Sequence, residues 1–183
     1  MATTTTQAGG EGATSNWTLA AGASKTAAVN QPDDDATSYI QSGTSLDTYQ
    51  YFTCTPALTT GDTITEISVT ARCRRGGAND VYIRIGYTFT PNGGGTQTGE
   101  VANTTLQAVS AWGNLTYTHS GLSVVWGSGL EFWIRNAQAR QTHCTTLYAD
   151  ITYTPVAGGS GQPMVARTRL VPGVGRAHGH QGW

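Results

Sequence analysis

The sequence predicts an all-β protein, an antiparallel β-sandwich of about eight strands with extended N- and C-terminal arms. Three observations predict it. Apolar residues recur with a period of two over several segments, the period of a strand with one face buried. Turn signals rich in Gly, Pro, Asn and Asp divide those segments at short spacing. No segment carries a convincing 3.6-residue apolar period, and only 11% of the chain is charged, against about 25% in average soluble proteins.

Residues 1–32 are rich in Thr, Gly and Ala, with Trp17 as their one large aromatic, and are expected to form an extended arm. Alone, such a segment buries too little apolar area to offset its ordering entropy. The β-domain is expected over 33–155. Ile67, Val69, Ala71 and Cys73 form one apolar face, opposite Glu66, Ser68, Thr70, Arg72 and Arg74. Val81, Ile83, Ile85, Tyr87 and Phe89 alternate with Tyr82, Arg84, Gly86 and Thr88. The Gly-Gly-Ala-Asn-Asp run at 76–80 between them reads as a hairpin loop. Further strands are expected at 37–42, 49–55, 101–109, 114–118, 130–135 and 145–154, the last with Leu147, Ala149, Ile151 and Tyr153 inward. Turns at 60–62, 91–95 and 127–129 separate them. Only 46–50 or 121–125 suits a short helix. This spacing of strands suggests a sandwich or jelly roll. After Pro155 a Gly/Ser linker leads into a second arm, residues 156–183.

Charge excludes some function classes. The net charge is −1, which offers no bulk attraction to nucleic acid or anionic membrane. All the acidic residues lie in 1–155, while the C-terminal arm carries Arg167, Arg169 and Arg176, so that arm could dock on a neighbouring copy. No segment approaches the roughly 18 apolar residues that span a membrane, and the N-terminus lacks the basic and apolar regions of a signal peptide. The three glycosylation sequons, at Asn16, Asn103 and Asn114, are read as chance in a Thr-rich chain. Cys54, Cys73 and Cys144 are too few for a disulfide scaffold. Buried free thiols are the simplest reading; a Cys54–Cys73 bridge is the alternative.

No catalytic constellation emerges, so a non-catalytic protein without a cofactor is expected. His143 adjoins Cys144, but neighbours on a strand point to opposite faces and make no dyad. Glu66, Glu100 and Glu131 are single acids, read as solvated strand faces rather than the paired carboxylates of glycoside hydrolysis. Asp33, Asp34 and Asp35 suit a solvated turn better than a calcium site, and His178 with His180 supply two ligands where a closed metal site needs four. Gly93, Gly94 and Gly95 form a hairpin tip rather than a phosphate loop. Arg72, Arg74, Arg75 and Arg84 with Tyr82 are the best basic stripe, tempered by Asp80 and Glu66.

One strand is more informative. Trp133, with Glu131 and Arg135, falls on the face opposite Leu130, Phe132 and Ile134. An outward aromatic among polar groups can stack on a sugar, anchor a protein interface, or be covered by another layer of the same fold.

The Pro-Ala-Leu-Thr-Thr-Gly-Asp-Thr-Ile-Thr-Glu-Ile-Ser-Val-Thr-Ala-Arg-Cys-Arg-Arg segment at 56–75, the strand at 145–155, and Asp35-Ala36-Thr37-Ser38-Tyr39-Ile40 resemble jelly-roll virion proteins of tailed bacteriophages, such as head decoration, fibre or minor tail components. The resemblance spans 33–155 and carries over no functional residue. It implies a virion location and partners that are copies of the chain or other virion proteins. The resulting expectation is a structural virion protein assembling through its arms, with Trp17, Arg167, Arg169, Leu170, Arg176 and Trp183 as anchors. The alternatives are a carbohydrate-binding or host-adhesion module and a subunit of an extracellular filament.

Overall fold

The computed structural model describes residues 1–30, 37–100, 106–108 and 110–157. The strands run in chain order: β1 (Ala2–Gln7), β2 (Gly10–Ser15), β3 (Thr18–Ala21), β4 (Tyr39–Gln41), β5 (Tyr49–Thr53), β6 (Thr63–Arg75), β7 (Val81–Pro91), β8 (Gln97–Glu100), β9 (Leu106–Ala108), β10 (Gly113–Asn136) and β11 (Thr142–Thr154). A one-turn helix, α1 (Lys25–Val29), follows β3. All strand pairs are antiparallel.

The strands form a β-sandwich. In the first sheet β6 lies between β11 and the N-terminal half of β10, and β11 pairs on its other edge with β4 and β1. In the second sheet the C-terminal half of β10 lies between β5 and β7, with β2 outside β5 and β8 and β9 along β7. The alternating faces meet between the sheets: Ile67, Val69, Ala71 and Cys73 from β6, Val81, Ile83, Ile85, Tyr87 and Phe89 from β7, and Leu147, Ala149 and Ile151 from β11 are all buried. Tyr153, expected inward, is only half-buried near the end of β11.

The segments expected at 114–118 and 130–135 are one continuous strand. β10 leaves the first sheet after Val125 and enters the second at Trp126, with register shifts between Trp126 and Ser128 and between Ser128 and Glu131. The turn expected at 127–129 is this bulged bend, where Gly129 takes a φ of 69°. The candidate helix at 121–125 lies within the strand.

The loop at 76–80 is not a hairpin. β6 and β7 belong to different sheets, so the loop crosses from one layer to the other. Two apolar-faced strands in succession can face each other across a core as readily as pair side by side. The glycines at 93–95 do close a hairpin, since β7 pairs with β8. Of the strand expected at 101–109, the described part is β9.

Residues 1–30 correct the expected N-terminal arm. They fold onto the domain's own sheet edges through β1, β2 and β3. Their stability comes from backbone pairing, which a Thr/Gly/Ala composition does not advertise. Side chains add to it. Asn30 Nδ2 donates to the Ala8 carbonyl at 2.7 Å, and the Ala8 amide donates to Asn30 Oδ1 at 3.1 Å. Ser24 caps α1 by accepting from the Ala27 amide at 3.1 Å, and Ala28 and Val29 turn into the core. Trp17 is 1% exposed and donates its indole N–H to the Thr48 carbonyl at 3.0 Å. It is a core residue and not a free anchor.

Candidate functional site

The outward face of the second sheet carries the densest set of chemically capable side chains. Phe52, Phe132, Ile134, Ile85 and Tyr87 point inward, so their alternates point out. Register sets those alternates in rows. Tyr51, Trp133, Gly86 and Glu100 form one row across β5, β10, β7 and β8. Tyr49, Arg135 and Arg84 form the row on one side; Thr53, Glu131, Thr88 and Thr98 form the row on the other.

The three rings make a continuous aromatic surface. Tyr49 and Tyr51 stack with centroids 5.7 Å apart, and Trp133 lies 5.7 Å from Tyr49 and 6.1 Å from Tyr51. Trp133 was expected to project outward. It does lie on the outward side of the sheet but is only 2% exposed, because the adjacent tyrosines cover it. The half-buried tyrosines are the accessible rings. Burial first, then Tyr49 and the carboxylates of Glu131 and Glu100, raise the pKa of Tyr51, so its hydroxyl stays protonated near neutral pH and keeps its donor.

A relay of charges flanks the rings. Arg84 Nη1 donates to Glu100 Oε1 at 3.0 Å, and Arg135 Nη1 donates to the same oxygen at 3.4 Å. Arg135 also donates to Asp47 Oδ1 from Nε at 2.8 Å and from Nη2 at 2.5 Å, while its guanidinium carbon sits 5.1 Å from the Tyr49 ring centroid. Each arginine is therefore fixed and its planar edge oriented. Arg84 Nε is buried without an acceptor among the described residues. Glu131 forms no ion pair among the described residues, which leaves its carboxylate oxygens as acceptors. Gly12, in the bulged part of β2, passes so close over this edge that a Cβ there would lie 2.6 Å from Tyr51 Cβ and 2.7 Å from Glu131 Oε1.

Glu131, Trp133 and Arg135 are thus brought together as their alternation implies. Tyr49, Tyr51 and Asp47 join them from elsewhere in the chain and were not singled out in the sequence, while Glu100, read there as a single acid on a solvated strand face, joins them as the acceptor shared by Arg84 and Arg135. The pair Tyr49 and Tyr51, two residues apart on one strand, was the local signal available.

Other candidates are dispersed. The basic stripe does not form: Arg72, Arg74 and Arg75 lie on β6 in the first sheet, Arg84 lies in the second, and Arg75 pairs with Asp80 at 2.8 Å. Arg74 stacks on Trp112 at 4.8 Å and its Nε donates to His143 Nδ1 at 3.4 Å, with Tyr39 4.7 Å from the same imidazole. His143 and Cys144 part company as strand neighbours, since Cys144 faces Cys73 in the core. Arg167, Arg169, Leu170, Arg176, Trp183, His178, His180 and Asp33–Asp35 lie outside the described residues. Among the described residues no group of three His, Cys, Asp or Glu converges to hold a metal ion, and no helix is long and apolar enough to cross a membrane.

No family model matches the chain, and neither does any curated protein sequence. Solved structures do. The chain is similar to the CBM22-1 xylan-binding domain from Paenibacillus barcinonensis Xyn10C, at 16% identity and TM-score 0.46, over 83% of this chain and 94% of that one. It is similar to the Clostridium thermocellum xylanase 10B CBM22-1–GH10 modules complexed with xylohexaose, at 11% identity and TM-score 0.50, over 77% of this chain and 27% of that one. It is similar to the enzymatically active domain of bacteriophage CBA120 tailspike protein 4, at 11% identity and TM-score 0.40, over 75% of this chain and 20% of that one. At these identities the likeness is one of fold. The antiparallel jelly-roll-like sandwich stands; membership of a bacteriophage virion family is unsupported, because the resemblance rested on strand and turn patterns that many sandwiches share.

Proposed function

We propose that this chain is a carbohydrate-binding β-sandwich module that holds a glycan on the outward face of its second sheet, and that it acts by binding rather than by catalysis. The row Tyr51–Trp133–Gly86–Glu100 carries the proposal. It places the tyrosine rings, the Trp133 indole packed against Gly86 and an anchored carboxylate side by side. The apolar C–H faces of a pyranose suit the tyrosine rings, while its hydroxyls suit Glu131 as acceptor and the guanidinium groups as donors. Glu100 is shared by two arginines, which suits it to positioning more than to passing a proton. A structure of similar fold, the CBM22-1–GH10 modules of an endo-1,4-beta-D-xylanase, is complexed with xylohexaose, which makes neutral β-linked glycans the first ligands to test.

The test is affinity electrophoresis and titration calorimetry of the full chain against xylan, cellulose and mannan, followed by a broad glycan array. Retention on at least one polysaccharide, weakened by Tyr51→Ala, is expected. A chain that binds no glycan in any format refutes the reading.

A further inference from the structure

Two of the three cysteines are direct partners in the register between β6 and β11: Cys73 stands opposite Cys144. Both are sealed between the sheets, 1% and 0% exposed, so both side chains point to the same side of the first sheet. Directly opposed residues of antiparallel strands have Cα atoms about 4.5–5.5 Å apart. That separation falls within the roughly 4.4–6.8 Å range that a disulfide spans. Cys144 Sγ donates to the Thr146 carbonyl at 3.3 Å. Cys54 is held elsewhere, beyond the end of β5 in the second sheet, with its Sγ donating to the Leu130 carbonyl at 3.3 Å. The register thus corrects the pairing weighed from sequence, since the neighbour of Cys73 is Cys144 and not Cys54.

We propose that Cys73 and Cys144 are a cross-strand modification site that takes a disulfide, by exchange with a disulfide donor, as the chain folds. One thiolate attacks a donor sulfur and expels one donor thiolate, giving a mixed disulfide. The second protein thiolate then attacks the protein sulfur of that intermediate and expels the other donor thiolate. The protein loses two protons and two electrons, and the donor disulfide becomes two thiols. In the closed sandwich, burial first and then the neighbouring Cys144 hold the Cys73 thiol well above the usual thiol range, so a sealed pair reacts slowly. Exchange therefore belongs to the stage before the second sheet closes over β6 and β11.

The bridge would enclose a loop of about 70 residues that contains β7, β8, β9 and β10. Those strands supply Arg84, Gly86, Glu100, Glu131, Trp133 and Arg135. A link across a loop of that length restricts the unfolded chain strongly, and an increase of about 10 °C in the thermal midpoint is expected.

The experiment refolds the full chain from reduced denaturant, either in a reduced/oxidised glutathione buffer or in excess reductant. The products are alkylated in denaturant and weighed, and the oxidised sample is digested without reduction. A single alkylated cysteine, Cys54, with a peptide joining Cys73 to Cys144 and a raised midpoint, is expected; the Cys54→Ala variant gives the same joined peptide. Three alkylated cysteines after refolding with glutathione, a bridge that uses Cys54, or a bridged form that melts below the reduced one overturns the proposal.

Discussion

The indole of Trp133 occupies the space that a side chain at Gly86 would need. A Cβ on residue 86 would come within 2.6 Å of Trp133 Cζ2 and 2.3 Å of the Gly99 carbonyl oxygen. One obstacle is backbone, which cannot swing aside. Gly86→Ala is therefore expected to cost about 1–3 kcal/mol of stability as overpacking and to tilt the indole, weakening any glycan affinity with it. Urea unfolding and calorimetric titration of this variant read the two effects separately. An unchanged midpoint would show that β8 is not held where the register puts it.

Tyr51 separates binding from folding better than Trp133 does. Trp133 is almost wholly buried, so Trp133→Ala is expected to lose about 3–5 kcal/mol of stability and to confound any affinity measurement. Tyr51 is half-buried. Tyr51→Ala is expected to weaken glycan binding about tenfold or more, the equivalent of one lost ring contact, while far-UV circular dichroism stays unchanged. Equal affinity in the variant would move the ligand off this face.

Glu131→Gln probes the same face without touching a ring. It keeps the shape and replaces a carboxylate that has no ion-pair partner among the described residues. Affinity is expected to fall severalfold with stability within about 0.5 kcal/mol of the parent, as for a substitution away from the core. Parallel titration and thermal melts check it.

His143 makes the fold sensitive to acid. It is 8% exposed, and burial, followed by the Arg74 charge, lowers its pKa from 6.5 to about 4. The unfolded chain therefore takes up this proton before the folded one does. The stabilisation is fully present above about pH 6.5 and is lost as pH falls toward 4, by on the order of 3 kcal/mol. Carboxylates titrate over part of the same window, so the informative quantity is the difference between the parent and His143→Gln. The variant is expected to show the shallower decline in urea midpoints between pH 6.5 and 4.

Trp17 distinguishes an internal strand from a free arm. Trp17→Ala is expected to cost about 3–5 kcal/mol, a core-sized loss, read by thermal denaturation at high dilution where association is absent. A negligible loss under those conditions would return residues 1–30 to the role of an arm.

The central strands were legible because both signals were local. In β6, β7 and β11 a period of two marks which face is buried, and burial is what the structure finds for Ile67, Val69, Ala71, Val81, Ile83 and Ile85. Period does not say what a strand lies beside. It could not show that β6 and β7 face each other across the core, nor that Tyr49 and Tyr51 would cover Trp133 from a strand some eighty residues earlier. Residues 1–30 were missed because edge strands built from Thr, Gly and Ala are held through backbone groups, which every sequence possesses. The site was half legible for the same reason: Glu131, Trp133 and Arg135 share one strand, while Asp47 and Glu100 meet Arg135 only after folding.

β10 belongs to both layers, pairing with β6 along its first half and with β5 and β7 along its second. Its bend at Trp126–Glu131 is the seam of the molecule. Neither sheet can peel away while the other keeps its ladder, since the strand that would leave is the strand that would stay. Slow amide exchange is then expected to be shared between the two sheets.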